Sequence, residues 1–118
     1  HERLQDFFVI DFTKEMFIVA TVGDEEKEEI IGLGQYGIDD KTHTAEVAFA
    51  IRDQYQGQGI GTEMLSYLTY LARRQGLLGF TAEVLTENKP MLRVFEKMGF
   101  DMKKSIGSGV YELQMTFT

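Results

Sequence analysis

Cysteine is absent from the 118 residues. That excludes disulfides, a thiol nucleophile and thiolate metal ligation. Histidine is nearly absent, with His1 and His43 alone, so a histidine-rich metal site is not expected. No apolar run reaches the length of a membrane span, and nothing at the start has the build of a signal peptide. Basic residues are scarce as well: 12 Lys and Arg stand against 19 Asp and Glu, a formal net charge of −7. Non-specific nucleic-acid binding rests on neutralising phosphates with Lys and Arg, which argues against that class. An acidic surface instead suits a cationic partner such as a lysine-bearing protein. The expectation is a cytoplasmic protein with no membrane, nucleic-acid or metal partner.

What is present is ordinary for a globular chain, with 43% hydrophobic and 26% charged residues. The length suits one small domain with a single core, taken as residues 1–118. The chain opens on His1 rather than Met, which predicts a fragment or a processed form. His1–Asp6 reads as the tail of a helix. Met16–Val22 and Ile30–Tyr36 read as strands, with the acidic run Gly23–Glu29 as a solvated hairpin loop between them. Asp39-Asp40 marks the next turn. Thr44–Arg52 alternates: Ala45, Val47, Phe49 and Ile51 share one face, while Glu46, Ala48, Ala50 and Arg52 share the other. The second face is small in its middle, which leaves room for a ligand. Ile60, Met64, Leu65, Leu68, Leu71 and Ala72 follow helical spacing up to Gly76. Phe80–Leu85 is a further strand. Asn88 can cap a short helix with Pro90 in its first turn. Phe100–Lys104 and Val110–Phe117 are two last strands joined at Gly107-Ser108-Gly109. The order gives an α/β layer with a mixed sheet.

The segment Gln56-Gly57-Gln58-Gly59-Ile60-Gly61-Thr62 carries the chemistry. Glycines let backbone N–H groups converge, and a helix start adds unpaired donors and a positive dipole end. Together they cradle phosphate. A Walker A loop needs lysine after its last glycine, and Gly61 is followed by Thr62 and Glu63. A dinucleotide fingerprint needs a third glycine where Thr62 stands. The pattern Q-x-x-G-x-G is met by Gln56, Gly59 and Gly61.

That pattern resembles the pyrophosphate signature of the GNAT family of N-acetyltransferases. The segment Asn88–Phe100, ending in Lys97-Met98-Gly99-Phe100, resembles the family's second signature, which ends in K-x-G-F. The alternating strand, glycine turn, long helix, strand Phe80–Leu85 and this segment follow in family order. Ala-Glu-Val-Ala-Phe before the turn and Ala-Glu-Val-Leu-Thr-Glu-Asn after it resemble Pat-type protein lysine acetyltransferases. The resemblance implies a mixed, mostly antiparallel sheet flanked by helices, with the family's opening strand and first helix missing. It also implies acetyl transfer from acetyl-CoA to an amine. The acceptor it favours is a protein lysine, as on an acyl-CoA synthetase-like partner. A small-molecule amine and a CoA-binding regulatory module with little activity are the alternatives.

On this reading the diphosphate sits on the N–H groups of Gly57, Gln58, Gly59, Ile60, Gly61 and Thr62, with Gln56 at the turn. The pantetheine arm runs beside Phe49, Ala50 and Ile51 and reaches Asn88, Met91 and Phe95. Five strand steps from Ile51 back to Glu46 span roughly 16 Å, about the reach of that arm. Glu46 is therefore the candidate base that takes the ammonium proton, directly or through water. A backbone N–H near Phe49 is placed to hold the oxyanion. Arg52, Lys89 and Arg93 are candidates for the 3′-phosphate. Many family members carry a tyrosine that protonates the leaving thiolate, where this chain has Phe95; Tyr55 and Tyr67 are the other phenols considered.

Overall fold

The computed structural model describes residues 4–24 and 26–118. Seven strands and two helices follow one another as β1 (Leu4–Phe12), β2 (Glu15–Asp24), β3 (Lys27–Asp39), β4 (Thr44–Ile51), α1 (Ile60–Arg74), β5 (Gly79–Leu85), α2 (Lys89–Lys97), β6 (Asp101–Gly107) and β7 (Val110–Thr116). A single 3-10 turn, Asp53–Tyr55, precedes the glycine turn. The strands form one sheet in the order β1-β2-β3-β4-β5-β7-β6. Every pairing is antiparallel except β4 with β5. Parallel neighbours need a crossover, and α1 supplies it. The sequence-based expectation of a mixed, mostly antiparallel sheet flanked by helices is met.

Two expectations change. The helix tail predicted over 1–6 gives way to β1 from Leu4 onward; residues 1–3 lie outside the described residues. β1 pairs along its whole length with β2, Ile10 opposite Phe17 and Phe8 opposite Val19. Pairing with a neighbouring strand outweighs the local helix preference of a few polar residues. β1 also fills the sheet edge ahead of β2, where the sequence predicts the family's opening strand to be missing. The acidic loop is shorter than predicted, because β2 extends to Asp24 and β3 begins at Lys27. Glu26, Lys27 and Glu28 are exposed at the hairpin, and Glu29 pairs with Arg52.

The pairing register sorts residues onto two faces. Rows Met16–Tyr36–Val47, Ile18–Gly34–Phe49 and Ala20–Gly32–Ile51 run across β2, β3 and β4 on the face that α1 covers. Met64, Leu65 and Leu68 of α1 are fully buried there, each contributing about 1.5–3 kcal/mol by burial. The helix lies close because β3 offers glycines beneath it. A Cβ at Gly34 would come within 3.1 Å of Met64 and 3.2 Å of Leu68. Tyr36 is buried in this core, and its hydroxyl donates to the Gln75 side chain just beyond α1. The opposite face is open: Phe8, Ile10, Phe12 and Leu33 are each about half exposed. Glu46, Ala48 and Ala50 lie on this face too, in the rows Glu15–Gly37–Glu46, Phe17–Gln35–Ala48 and Val19–Leu33–Ala50.

No helix among the described residues is long and apolar enough to cross a membrane.

Candidate active site

The site begins at the parallel seam between β4 and β5. β4 and β5 pair at three positions, Thr44 with Gly79, Ala45 with Phe80 and Glu46 with Thr81, and no further. β4 stays paired with β3 up to Ile51, and β5 stays paired with β7 up to Leu85. The two strands therefore diverge beyond Glu46 and Thr81 and open a wedge through the sheet. Backbone groups that face the wedge from Val47–Ile51 and Ala82–Leu85 have no partner in the β4–β5 ladder. Peptide groups need hydrogen-bond partners, so an extended amide-bearing chain is a fitting occupant.

At the mouth of the wedge stands the glycine turn. Gly57 and Gly59 adopt φ of 79° and 85°, the left-handed region open to glycine, and a Cβ on either would meet nothing within 4 Å. Gly59 is the N-cap of α1 and supplies no side-chain cap. The first helical hydrogen bond runs from the Glu63 N–H to the Gly59 carbonyl at 3.0 Å. The N–H groups of the first turn therefore point outward beside an open glycine surface, where an anion finds both donors and the helix dipole. α2 differs, because the Asn88 side chain caps it by accepting from the Met91 N–H at 3.3 Å.

A cleft of about 180 Å³ joins the turn to the wedge. Of the residues predicted to hold the cofactor, Phe49, Ile51, Gln56, Gly57, Gly59, Gly61, Thr62, Asn88 and Met91 line it. Ala50, Gln58, Ile60 and Phe95 do not. The Ala50 side chain faces the opposite side of the sheet. Gln58 donates to the Gln54 carbonyl, and Ile60 is 3% exposed in the core. Phe95 is 2% exposed and packs its ring on Phe49 with centroids 5.6 Å apart, so it forms the floor behind the cleft. Gln56 lines the cleft while its amide donates to the Ile51 carbonyl at 3.0 Å and to Asp53 at 3.3 Å. It staples the turn to the end of β4.

Two further cavities flank the cleft. The first, about 670 Å³, lies outside α1 and is lined by Phe7, Gly59, Thr62, Glu63, Ser66, Tyr67 and Lys97. The second, about 450 Å³, opens on the face away from the helices and includes Glu15, Phe17, Gln35, Glu46, Ala48 and Glu83. Glu46 thus stands at the vertex of the wedge, on the side opposite the glycine turn. Of the room predicted against Ala48 and Ala50, this second cavity takes in Ala48 and not Ala50, whereas the cleft uses the Phe49 and Ile51 side. β4 and β5 part between the cleft and this second cavity.

The candidate phosphate ligands separate. Arg52 is paired with Glu29 at 2.9 Å, and Lys89 lies 5.4 Å from the centre of the Tyr111 ring with its ammonium on the hydroxyl. Arg93 lines the cleft, as does Lys97, four residues further along α2. Sequence reading passed over Lys97 as part of the K-x-G-F ending. Its spacing from Arg93, one helical turn, is the signal that marks it. Tyr55 lines the cleft and Tyr67 the outer cavity.

These features agree with what the chain resembles. Residues 1–100 match the Acetyltransferase (GNAT) family. Acetyltransferase Pat of Mycolicibacterium smegmatis is 42% identical over 55 residues, covering 47% of this chain and 16% of that protein. Thialysine N-epsilon-acetyltransferase of Mus musculus is 27% identical over 95 residues, covering 76% of this chain and 56% of that protein. Among solved structures, the GNAT domain of PAT from S. lividans superposes with a TM-score of 0.77 at 32% identity. It covers 92% of this chain and 64% of that one. The chain spans between a sixth and about two-thirds of the lengths of these relatives. On its match over residues 1–100, it belongs to the GNAT family of acetyltransferases.

Proposed function

We propose that residues 1–118 act as one domain that moves an acetyl group from acetyl-CoA to an amine, with a protein lysine as acceptor. The observation that carries this is the wedge. An uncapped helix start with open glycines stands at one end, and Glu46 stands at the other, on the far face of the sheet. The residues present fit acetyl-CoA as a substrate. The diphosphate suits the N–H groups of the α1 start, and the pantetheine amides suit the unpaired edges of β4 and β5. Asn88 has its carbonyl oxygen engaged in the α2 cap, which leaves its amide N–H groups to serve the arm.

The amine enters from the open face. Its ammonium loses a proton to Glu46, directly or through one water, because only the free amine has a lone pair to donate. The nitrogen attacks the thioester carbonyl carbon, and the oxyanion meets a backbone N–H turned into the wedge near Phe49. Glu46 passes its proton to solvent and, ionised again, takes the second proton from the nitrogen of the adduct; the C–S bond then breaks, the electron pair leaves on sulfur, and the thiolate takes a proton from solvent. The products are the N-acetyl amide and CoA.

Likeness to Pat supports a protein acceptor, and likeness to the thialysine enzyme supports a small amine bearing a lysine-like side chain. A panel of lysine peptides, a folded protein acceptor and free alkylamines is incubated with acetyl-CoA. Mass spectrometry and thiol release read the products. Acetylated lysine is the expected outcome. Acetyl-CoA binding with no product from any amine would leave a CoA-binding regulatory module instead.

A further inference from the structure

The cavity that includes Glu46 runs across three strands, from Glu46 and Ala48 on β4, over Gly37 and Gln35 on β3, to Glu15 and Phe17 on β2. It is a trough at Gly37, where no side chain stands and a Cβ would meet nothing within 4 Å. The row Glu46–Gly37–Glu15 continues onto β1 at Phe12. Phe12 is 55% exposed and meets the Phe17 ring edge-on, with centroids 5.8 Å apart and planes at 88°. Ile10, the strand partner of Phe17, is 46% exposed. The trough therefore starts beside the Glu46 carboxylate and ends on an apolar shelf, and Phe17 belongs to both. Contiguous exposed apolar surface of this kind marks a contact with another molecule. The carboxylates of Glu15, Glu46 and Glu83 in the same cavity, on a chain of net charge −7, select a cationic one.

We infer that the trough is a groove for an extended acceptor polypeptide, whose lysine meets Glu46 while an apolar side chain on one flank seats against Phe12 and Ile10. The assignment rests on Glu46 receiving the acceptor amine, and it adds a sequence preference to that reading. The spacing follows from the sheet. Phe12 lies three strand spacings from Glu46, roughly 14 Å at about 4.8 Å each. An extended peptide covers that distance in about four residues, and residues four apart in a strand point to the same side. A lysine and an apolar residue at this separation therefore reach down together. A small amine fills the Glu46 end and leaves the shelf bare.

Matched peptides test the groove, each with a single lysine and either leucine or serine at that separation, before or after it. A free alkylamine serves as the small acceptor. Steady-state acetylation by the wild-type chain should favour a leucine peptide over its serine counterpart by about tenfold or more in kcat/KM. Phe12→Thr and Ile10→Thr remove the shelf while keeping a residue that suits a strand. Each should raise KM for the leucine peptide with kcat unchanged, and leave kcat/KM for the alkylamine as in wild type. Thermal melts confirm that each variant is folded. Equal kcat/KM for leucine and serine peptides on the wild type overturns the groove, as does a variant that slows peptide and alkylamine alike. A wild-type dimer in sedimentation that Phe12→Thr dissociates, with the peptide preference unaltered, gives the face to a second copy and overturns it too. A folded wild type that acetylates neither peptide nor alkylamine overturns the transferase reading itself.

Discussion

Glu46→Gln separates the chemistry from donor binding. The side chain is exposed on the sheet face away from the helices and makes no ion pair among the described residues. Its removal as a charge should therefore change stability by no more than about 0.5 kcal/mol. The cavity that holds Glu46 shares no lining residue with the cleft at the glycine turn. Donor affinity should consequently stay within about twofold, which is under 0.5 kcal/mol. Turnover is different. A positioned base typically contributes 10²–10⁴-fold, which corresponds to about 2.7–5.4 kcal/mol of barrier. The assay pairs calorimetry of acetyl-CoA binding with steady-state acetylation of a lysine peptide, both at one pH and salt concentration. The expected pattern is a kcat lower by about a hundredfold or more with donor affinity unchanged. A kcat within threefold of wild type removes Glu46 from the mechanism. A matching loss of donor affinity would mean that Glu46 takes part in holding the donor.

Three other perturbations test the framework around the site. Gly79→Ala places a Cβ 2.0 Å from the Met115 carbonyl oxygen at the first β4–β5 pair, so chemical denaturation should show a loss of about 3 kcal/mol. Asn88→Ala removes the α2 cap and should cost about 1 kcal/mol by the same measurement, with weaker acetyl-CoA binding if its amide also serves the pantetheine arm. Burial, aided by the charge of Asp11, pushes the Tyr36 phenol up to about 12. The unfolded chain ionises first, at about 10, so Tyr36 contributes stability that is whole below that pH and is lost as pH rises towards about 12. Stability measured across this window should fall less steeply in Tyr36→Phe than in wild type.

Much of this architecture is legible in the residues themselves. Alternation over Thr44–Ile51, the apolar stripe of α1 and the Asn88-Lys89-Pro90 start of α2 each encode one element locally. The glycine turn is legible for the same reason, because glycine at positions 57 and 59 is a local conformational requirement. Elements that depend on a distant partner are less legible. β1 exists by pairing with β2, and its leading residues favour a helix when taken alone. Alternation also says that Glu46 and Ala48 share a face without saying which face the helices cover. That depends on Gly32 and Gly34 admitting α1 against β3, a fact about packing and not about β4. Ile60 and Phe95 show the same limit. Both belong to the motifs, yet both side chains point into the core, so the motif position reports a structural duty as well as any contact with ligand.

Phe95 in place of a proton donor is consistent with the chemistry that this geometry imposes. An amine that attacks a thioester first gives an adduct carrying both a protonated nitrogen and a sulfur leaving group. A free thiol has a pKa of about 8.5 and a lysine amine about 10.4. While the nitrogen keeps its extra proton it is a neutral amine on departure, and collapse back to reactants competes with expulsion of the thiolate. Once that proton is removed, the nitrogen can leave only as an amide anion, and the adduct commits to breaking the C–S bond. The decisive proton transfer therefore lies on the acceptor side, where Glu46 stands at the vertex of the wedge. The thiolate is stable enough in water to wait for a proton. On the proposed mechanism Glu46 is the group that takes the nitrogen's proton, and Phe95 leaves the thiolate to be protonated by water.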